Sequence, residues 1–577
     1  MKQLDGFHIM VVAKYFTTIN DLISLSMVCK KYSETLSKFH YNPVPLTLKT
    51  IKYFDHLETL ILWLFIPNNN NYLNFSKMNS VFFKNYFQIV VCEEIDYKTV
   101  TDTLKMYSDN KFSTSTNSQQ KKMNKIVFKN VVYTQTDNQL KLPMTELITN
   151  IGLNCFSNDT TMTSIHIPIS VTCIGVHSFS RCNLLQTIVL PKSLRTIDDA
   201  AFDSCTFKEI EFPSRLTSIC NYVFEYCRKL SSITFPKHLK SIGVNGFSNC
   251  DSLKSVSLPN TLSNLGISAF ENCESLSAVT LSTRLDVLSD SLFRSCVNLH
   301  KIKIPQKVKR IGMKCFYDCS TLSIIQLNDS LQFIGESSFE CCSLLPSIDI
   351  PDTVTFIQSS AFKSCTSLKT ITLSTSLTSL PPFMFEYCFS LSNIEIPFNV
   401  SLIGESCFEG CCSLSEIYIP EGIKFLPKSC FNNCSSLSDI SIPYTVTEFY
   451  NKCFGGCLSI TNFDIPENVE QIGNNCFEGC TNLSKITFND NVKCIPDYCF
   501  SCCQKLETIK HLENIISIGE YCFSKCVNLN YIEFGENLKF LNKMCFDMCS
   551  SLWGFKMPMN MLDLSLSELG LKTKQIK

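Results

Sequence analysis

Residues 299–319 read LHKIKIPQKVKRIGMKCFYDC, and close variants of this sequence recur along most of the chain. Phenylalanine sets the register. From Phe156 to Phe546 it returns at steps of 23 residues, except for one step of 22 between Phe202 and Phe224. Every Phe in this series except Phe156 has Cys three residues later. A regular period of this length is typical of a stacked repeat array.

Each repeat reads L-x-x-I-x-I-P-x-x-V-x-x-I-G-x-x-x-F-x-x-C. The end of L-x-x-I-x-I alternates, so its last two aliphatic side chains share one face of a short strand. The Pro that usually follows stops ladder pairing. A unit of this size cannot bury its apolar side chains alone, so neighbouring units must stack and share one core. The sequence therefore predicts a solenoid with a long parallel sheet.

This repeat resembles the unit of the BspA-like leucine-rich repeat family in its length and in its Pro, Gly, Phe and Cys. The resemblance covers about residues 150–558. It implies a curved leucine-rich repeat solenoid with a parallel β-sheet on the concave face and an irregular or 3-10 convex side. Proteins of this family are often found at cell surfaces and are associated with adhesion. The resemblance thus implies a protein ligand held on the concave face.

The charge balance and the termini exclude other classes. With 51 basic and 52 acidic side chains, the chain has no net positive charge that would attract a polyanion. We therefore do not expect nucleic acid as a partner. No run of 18 apolar residues predicts a transmembrane helix. Asp5 and His8 interrupt the apolar start, which is atypical of a signal peptide. These signals favour a cytoplasmic location, with unconventional export to the cell surface as the alternative.

The sequence shows no catalytic constellation. The eight His residues form no metal-binding pair, and phosphate-binding, dinucleotide-binding and nucleophile-elbow motifs are absent. We therefore expect no enzymatic activity and no cofactor.

The chain has 34 Cys, most of them in register with the repeat. The column that follows Phe predicts buried thiols acting as small core residues, with no disulfides. Zinc is the alternative where two Cys flank a Phe, as in Cys407 and Cys411, because Cys-x3-Cys is a permitted ligand spacing. Ala269, Ser338 and Gly246 replace the first of these Cys in other repeats, which indicates a packing position for small residues. Cys341, Cys412 and Cys502 adjoin the column, which favours more exposed and therefore more reactive thiols, the alternative being loop residues without a redox role.

The strand register also predicts which side chains face outward. They lie eight and ten residues after each Phe. Over four consecutive strands these positions place four carboxylates and one Tyr on one face without a Lys or Arg. The candidate ligand-binding residues are Glu395, Glu416, Tyr418, Asp439 and Asp464. This stripe favours a partner with a basic segment, the alternative being a solvated face that only keeps the array soluble.

The regions outside the repeats are less regular. Residues 1–45 predict a helical cap, with Asn20 or Asp21 as the cap of its second helix. Their apolar spacing is also similar to an F-box, a helical adaptor of ubiquitin ligases. Residues 46–149 are interpreted as degenerate repeats with polar loops, 150–558 as eighteen repeats, and 559–577 as a C-terminal cap or tail. Three functions remain: a protein-binding scaffold, a surface adhesion protein and an F-box-like substrate adaptor.

Overall fold

The structure is a computed structural model. It describes residues 16, 18–28, 39, 41–47, 50–51, 54, 57, 59–62, 88–109, 125–556, 558 and 567–571. The chain forms two compact units. The first comprises Met1–Cys205 with Pro213–Leu216, and the second comprises Thr206–Phe212 with Thr217–Lys577. The division falls in the repeat that contains the 22-residue step.

Each repeat forms one coil with two short strands, and equivalent strands of neighbouring coils pair in parallel with a register offset of 23 residues, as Ser255 does with Ala278. The strands that contain the predicted outward positions form the first ladder. In the first unit these strands are Ser164–His166 and Thr187–Val189. In the second unit they are Glu209–Glu211, Ser232–Thr234, Ser255–Ser257, Ala278–Thr280, Lys301–Lys303, Ile324–Gln326, Ser347–Asp349, Thr370–Thr372, Asn393–Ile394, Glu416–Tyr418, Asp439–Ser441, Asn462–Asp464, Lys485–Thr487, Thr508–Lys510, Tyr531–Glu533 and Gly554–Lys556.

A second ladder of two-residue strands lies further along each coil. In the first unit its strands are Asn150–Ile151, Cys173–Ile174 and Thr196–Ile197. In the second unit they are Ser218–Ile219, Ser241–Ile242, Asn264–Leu265, Val287–Leu288, Arg310–Ile311, Phe333–Ile334, Phe356–Ile357, Ser379–Leu380, Leu402–Ile403, Phe425–Leu426, Glu448–Phe449, Gln471–Ile472, Cys494–Ile495, Ser517–Ile518 and Phe540–Leu541. The predicted parallel solenoid is confirmed, and turns complete each coil.

The repeated Phe side chains form the core of both units. In the second unit neighbouring rings stack from Phe224 to Phe546 with centroid separations such as 5.1 Å between Phe224 and Phe247. Phe362 is fully buried and stacks on Phe339 at 5.3 Å. Such a column buries a large apolar area on every coil and adds the favourable geometry of offset stacking.

The turn around each Phe depends on two residues in the left-handed region. They lie two residues before and two residues after the Phe, as Phe383 (φ 60°) and Tyr387 (φ 61°) do around Phe385. Glycine occupies the second of these positions in a few coils, including Gly410 (φ 73°). Most coils carry a non-glycine residue there, which costs about 1 kcal/mol per position. Stacking of neighbouring coils must therefore hold this turn in place.

The Gly that follows the second ladder allows neighbouring coils to approach closely. A Cβ placed on Gly335 would lie 2.6 Å from the backbone carbon of Gly312 in the preceding coil. Since the obstacle is backbone, it cannot rotate away. This contact explains the Gly of the I-G pair.

The column Cys residues have a polar role as well as an apolar one. Each of sixteen thiols donates to the carbonyl of the Phe in the preceding coil, as Cys457 does to Phe431 at 3.2 Å and Cys549 to Phe523 at 3.0 Å. A buried carbonyl needs such a donor. The predicted buried thiols are therefore also the hydrogen-bond donors that connect successive turns.

The first unit begins with longer elements. Helices α1 (Ile19–Val28), α2 (Tyr97–Asp109) and α3 (Gln135–Gln139) accompany strands Thr59–Leu62, Gln88–Asp96 and Lys125–Tyr133. These strands continue the second ladder of this unit in one six-stranded parallel sheet. Helix α2 connects two of them, so this region is a β-α-β arrangement beside the coils. The division at residues 45, 149 and 558 stays a prediction.

The start of α1 corrects one expectation. Asn20 and Asp21 lie inside the helix, and Thr18 precedes it. The Thr18 backbone N–H donates to the Asp21 carboxylate at 3.0 Å, and the Asp21 N–H donates to the Thr18 hydroxyl at 3.3 Å. This reciprocal pair is a capping box. Most of the F-box-like segment and residues 559–566 lie outside the described residues.

Candidate protein-binding face

The first ladder presents the predicted residues outward. In Glu416–Tyr418 the two end residues are exposed and Ile417 is buried, and Asn462–Asp464 shows the same pattern. This alternation places Glu416, Tyr418, Asp439 and Asp464 on one face, and Glu395 is exposed directly after Asn393–Ile394. We call the surface formed by Glu395, Glu416, Tyr418, Asp439 and Asp464 the acidic patch.

The register defines two columns within the acidic patch. Glu416 lies directly opposite Asp439 in the first column, and Tyr418 lies opposite Ser441 in the second. Asp464 belongs to the second column, as does Glu395 by its place in the repeat. Glu416 and Asp439 therefore lie side by side in the first column. The other two carboxylates lie at the two ends of the second column, which contains Tyr418.

In the part of the chain that the structure describes, the carboxylates in the middle of the patch form no ion pair. Among the described residues, Glu395, Glu416 and Asp439 form no ion pair, and Lys485 reaches Asp464 only at the edge, at 4.0 Å. Like charges directly opposite one another destabilise a sheet. The patch is therefore a negative surface, and a bound cation would reduce the repulsion between its carboxylates.

A second row of exposed side chains borders the patch and was missed in the sequence. We call this the turn row: Phe398, Glu421, Tyr444 and Glu467. Each follows the Pro after a first-ladder strand, and all four are exposed. Phe398 is 78% exposed and Tyr444 71%, which is unusual for large apolar side chains. The sequence feature that could have predicted this row is an aromatic residue directly after Pro, a position at which most other coils carry a polar or charged residue.

The first ladder also has a shallow depression in an earlier part of the second unit. It has a volume of about 220 Å³ and is lined mainly by Ser255, Ser257, Thr280 and Lys301. This volume lies below the usual range of about 300–1,000 Å³ for small-molecule sites. The acidic patch, by contrast, is an open surface of the kind that meets another protein.

The cysteines do not form a metal centre in the described part of the chain, where no group of three or more His, Cys, Asp or Glu is arranged around one point. Burial raises the pKa of Cys273 and of Cys480 to about 12. It also raises the pKa of Cys407 and of Cys411 well above the ordinary value. Since metals bind the thiolate, burial opposes ligation here.

Cys341, Cys412 and Cys502 are partly exposed, and Cys494 on the second ladder is exposed. The expectation that the first three are more accessible than the column is thus confirmed, whereas their reactivity stays a prediction.

Comparison with known proteins identifies the repeat. The family described as BspA type leucine rich repeat region (6 copies) matches residues 149–266, 240–365, 339–461 and 447–567. No curated relative matches the chain. In the described residues, no helix has the length and apolarity required to span a bilayer.

Several solved structures are similar. A leucine-rich repeat protein from Bacteroides ovatus is 28% identical, with 69% of this chain and 88% of that chain covered and a TM-score of 0.45. A leucine rich cell surface protein from Faecalibacterium prausnitzii is 25% identical, with coverages of 63% and 83% and a TM-score of 0.30. A leucine rich repeat protein from T. pallidum is 30% identical over 33% of this chain and 77% of that chain, with a TM-score of 0.24.

Proposed function

The chain belongs to the BspA type leucine-rich repeat family, and from this premise we propose that it is a non-enzymatic protein-binding solenoid whose acidic patch holds a basic segment of a partner protein. The observation that carries the proposal is the pair Glu416 and Asp439, two carboxylates directly opposite one another that form no ion pair in the described structure. The repulsion between these two carboxylates destabilises the sheet, so the pair does not contribute to the stability of the fold. A cationic ligand bound between them would turn this repulsion into attraction to the ligand.

The neighbouring residues define the chemistry of that ligand. Tyr418 is 58% exposed in the middle of the patch, and the turn row carries Phe398 and Tyr444 in the two adjacent coils. Aromatic side chains with acidic neighbours fit a segment in which Lys or Arg alternates with apolar residues. Arg in particular stacks on aromatic faces while its guanidinium pairs with carboxylates.

The proposal is tested with a synthetic lysine-rich peptide that carries one Trp. Fluorescence anisotropy measures its Kd for the full chain and for a variant with Glu395→Gln, Glu416→Gln, Asp439→Asn and Asp464→Asn. Because exposed charge pairs each contribute little, we expect a roughly thirtyfold higher Kd for the variant. Raising the salt concentration should reduce the difference, since exposed charges are screened.

A matched control removes four outward carboxylates elsewhere on the first ladder of the second unit: Glu209, Glu211, Asp349 and Glu533. This control has the same net charge as the patch variant. A loss of affinity in the patch variant alone supports the proposal. Equal losses in both variants would show that only net charge matters, and unchanged binding would exclude the patch.

The cellular location separates the remaining functions. Thirty-two Cys thiols in the described residues fit a reducing compartment, which favours an intracellular scaffold or adaptor. The family resemblance favours surface adhesion instead. Antibody labelling of a tagged copy in intact and permeabilised cells distinguishes them: signal only after permeabilisation supports the intracellular function, and signal on intact cells supports adhesion.

A further inference from the structure

The outer face of the second ladder in the second unit carries an apolar and aromatic stripe that the acidic patch does not use. Seven consecutive coils contribute one outward residue each, and we call these residues the outer stripe: Arg310, Phe333, Phe356, Ser379, Leu402, Phe425 and Glu448. Phe356 is 50% exposed and Leu402 47%. Most natural surfaces scatter such residues singly, whereas a contiguous series marks an interaction site.

Contacts within the stripe organise its two ends. At one end the Arg310 guanidinium lies 4.2 Å from the centre of the Phe333 ring, and Phe333 stacks on Phe356 at 5.7 Å. At the other end Phe425 stacks on Tyr450 at 5.2 Å. A hydrogen bond from Tyr450 to Glu448 raises the pKa of the tyrosine. One end is thus cationic and aromatic, and the other is anionic and aromatic.

The stripe is complementary to itself about Ser379. Consider a two-fold axis that passes through Ser379, runs parallel to the strands and lies in the plane of contact. It places each coil of one copy opposite the coil of the second copy that lies equally far from Ser379 in the other direction. Phe356 then faces Leu402, Phe333 faces Phe425, and Arg310 faces Glu448. Apolar groups meet apolar groups, the charged ends meet opposite charges, and the small Ser379 lies on the axis.

The rows on either side of the stripe obey the same symmetry. The operation places Glu336 opposite Lys428 and Tyr450 opposite Gly312. It also places Gln332 opposite Lys424, so no like charges meet at these positions. A protein surface without a partner has no reason to match under a two-fold axis, whereas an isologous interface requires it.

We propose that two copies of this chain associate face to face through the outer stripe. The stripe with its flanking rows extends roughly 16 Å along the strands and 34 Å across the coils, or about 1,100 Å² for the two copies. This area is at the lower limit for a specific interface, so we expect a weak, reversible dimer. The first ladders of both copies remain free for partner proteins.

Sedimentation velocity of the full chain over a range of concentrations tests the association. Arg310→Glu opposes Glu448 of the second copy and should raise the dimer Kd about tenfold or more, and so should Leu402→Asp. Arg310→Glu combined with Glu448→Arg should restore most of the affinity, because the charges are exchanged and not removed. Lys301→Glu is the matched control, since it reverses a charge on the first ladder of the coil that carries Arg310.

A short bis-maleimide tests the position of the axis. Ser379→Cys puts one thiol of each copy at the axis, so it should give a cross-linked dimer. The exposed native Cys494 lies on the same ladder but faces Asn264 of the other copy, so the unmodified chain should cross-link poorly. A chain that stays monomeric at high concentration overturns the proposal. So does a dimer that Leu402→Asp leaves intact while circular dichroism shows all variants folded.

Discussion

Alkaline pH should unfold this protein through its buried thiols. In the folded chain the pKa of Cys273 and of Cys480 is raised to about 12 by burial, from an ordinary value of 9.0. A thiol that stays protonated when folded but ionises when unfolded favours the unfolded state as pH rises. The contribution to stability is therefore fully present below pH 9 and is lost progressively between pH 9 and about 12.

The magnitude follows from proton linkage. With a pKa of 9.0 unfolded and 12 folded, one thiol lowers the free energy of unfolding by about 1.4 kcal/mol between pH 7 and pH 10. A cooperatively unfolding group of about five such thiols loses about 7 kcal/mol, which is comparable to the total stability of many domains. The second unit contains more than five fully buried thiols.

Urea unfolding followed by circular dichroism from pH 7 to pH 10, in the presence of a reductant, measures this effect. The midpoint should fall steeply above pH 9. A variant with Cys273→Ser and Cys480→Ser has two fewer titrating groups and should lose less stability over the same interval. A constant midpoint up to pH 10, or an identical slope in the variant, would show that ionisation of the buried thiols does not destabilise the folded chain.

Three further predictions concern single residues. Gly335→Ala should lower stability by roughly 2 kcal/mol, seen in the urea midpoint, because its Cβ would meet the backbone of Gly312 at 2.6 Å. Lys525→Gly should raise the free energy of unfolding by about 0.5–1 kcal/mol, seen as a higher urea midpoint, since Lys525 has φ 61°. Brief treatment of the folded chain with iodoacetamide should modify Cys494 before Cys480, as judged by peptide mass spectrometry, because only the former is exposed.

Much of the architecture was predictable because the repeat encodes it many times. The alternation in Leu414, Ile417 and Ile419 fixed the first-ladder register, and the structure places Glu416 and Tyr418 outward as expected. The Phe spacing similarly fixed the core column. These features depend on hydrophobic periodicity, which a single sequence shows directly.

Other features carry no such signal. The second ladder has only two residues per strand, too few to alternate, so its outward residues such as Phe356 were not recognised. The left-handed turn positions are mostly not glycine, and Phe383 at φ 60° shows that stacking overrides local preference. The Cys-to-carbonyl bonds connect different coils, and the turn row became visible only through the exposure of Phe398 and Tyr444.

Hydrogen–deuterium exchange locates the bound peptide on the chain and shows directly whether the acidic patch is the binding site. With the lysine-rich peptide at saturation, we expect slower exchange in Glu416–Tyr418, Asp439–Ser441 and their flanking turns, with the second ladder unchanged. Slower exchange confined to the second ladder or to other coils, with the peptide bound, would contradict the claim that the acidic patch is the binding site.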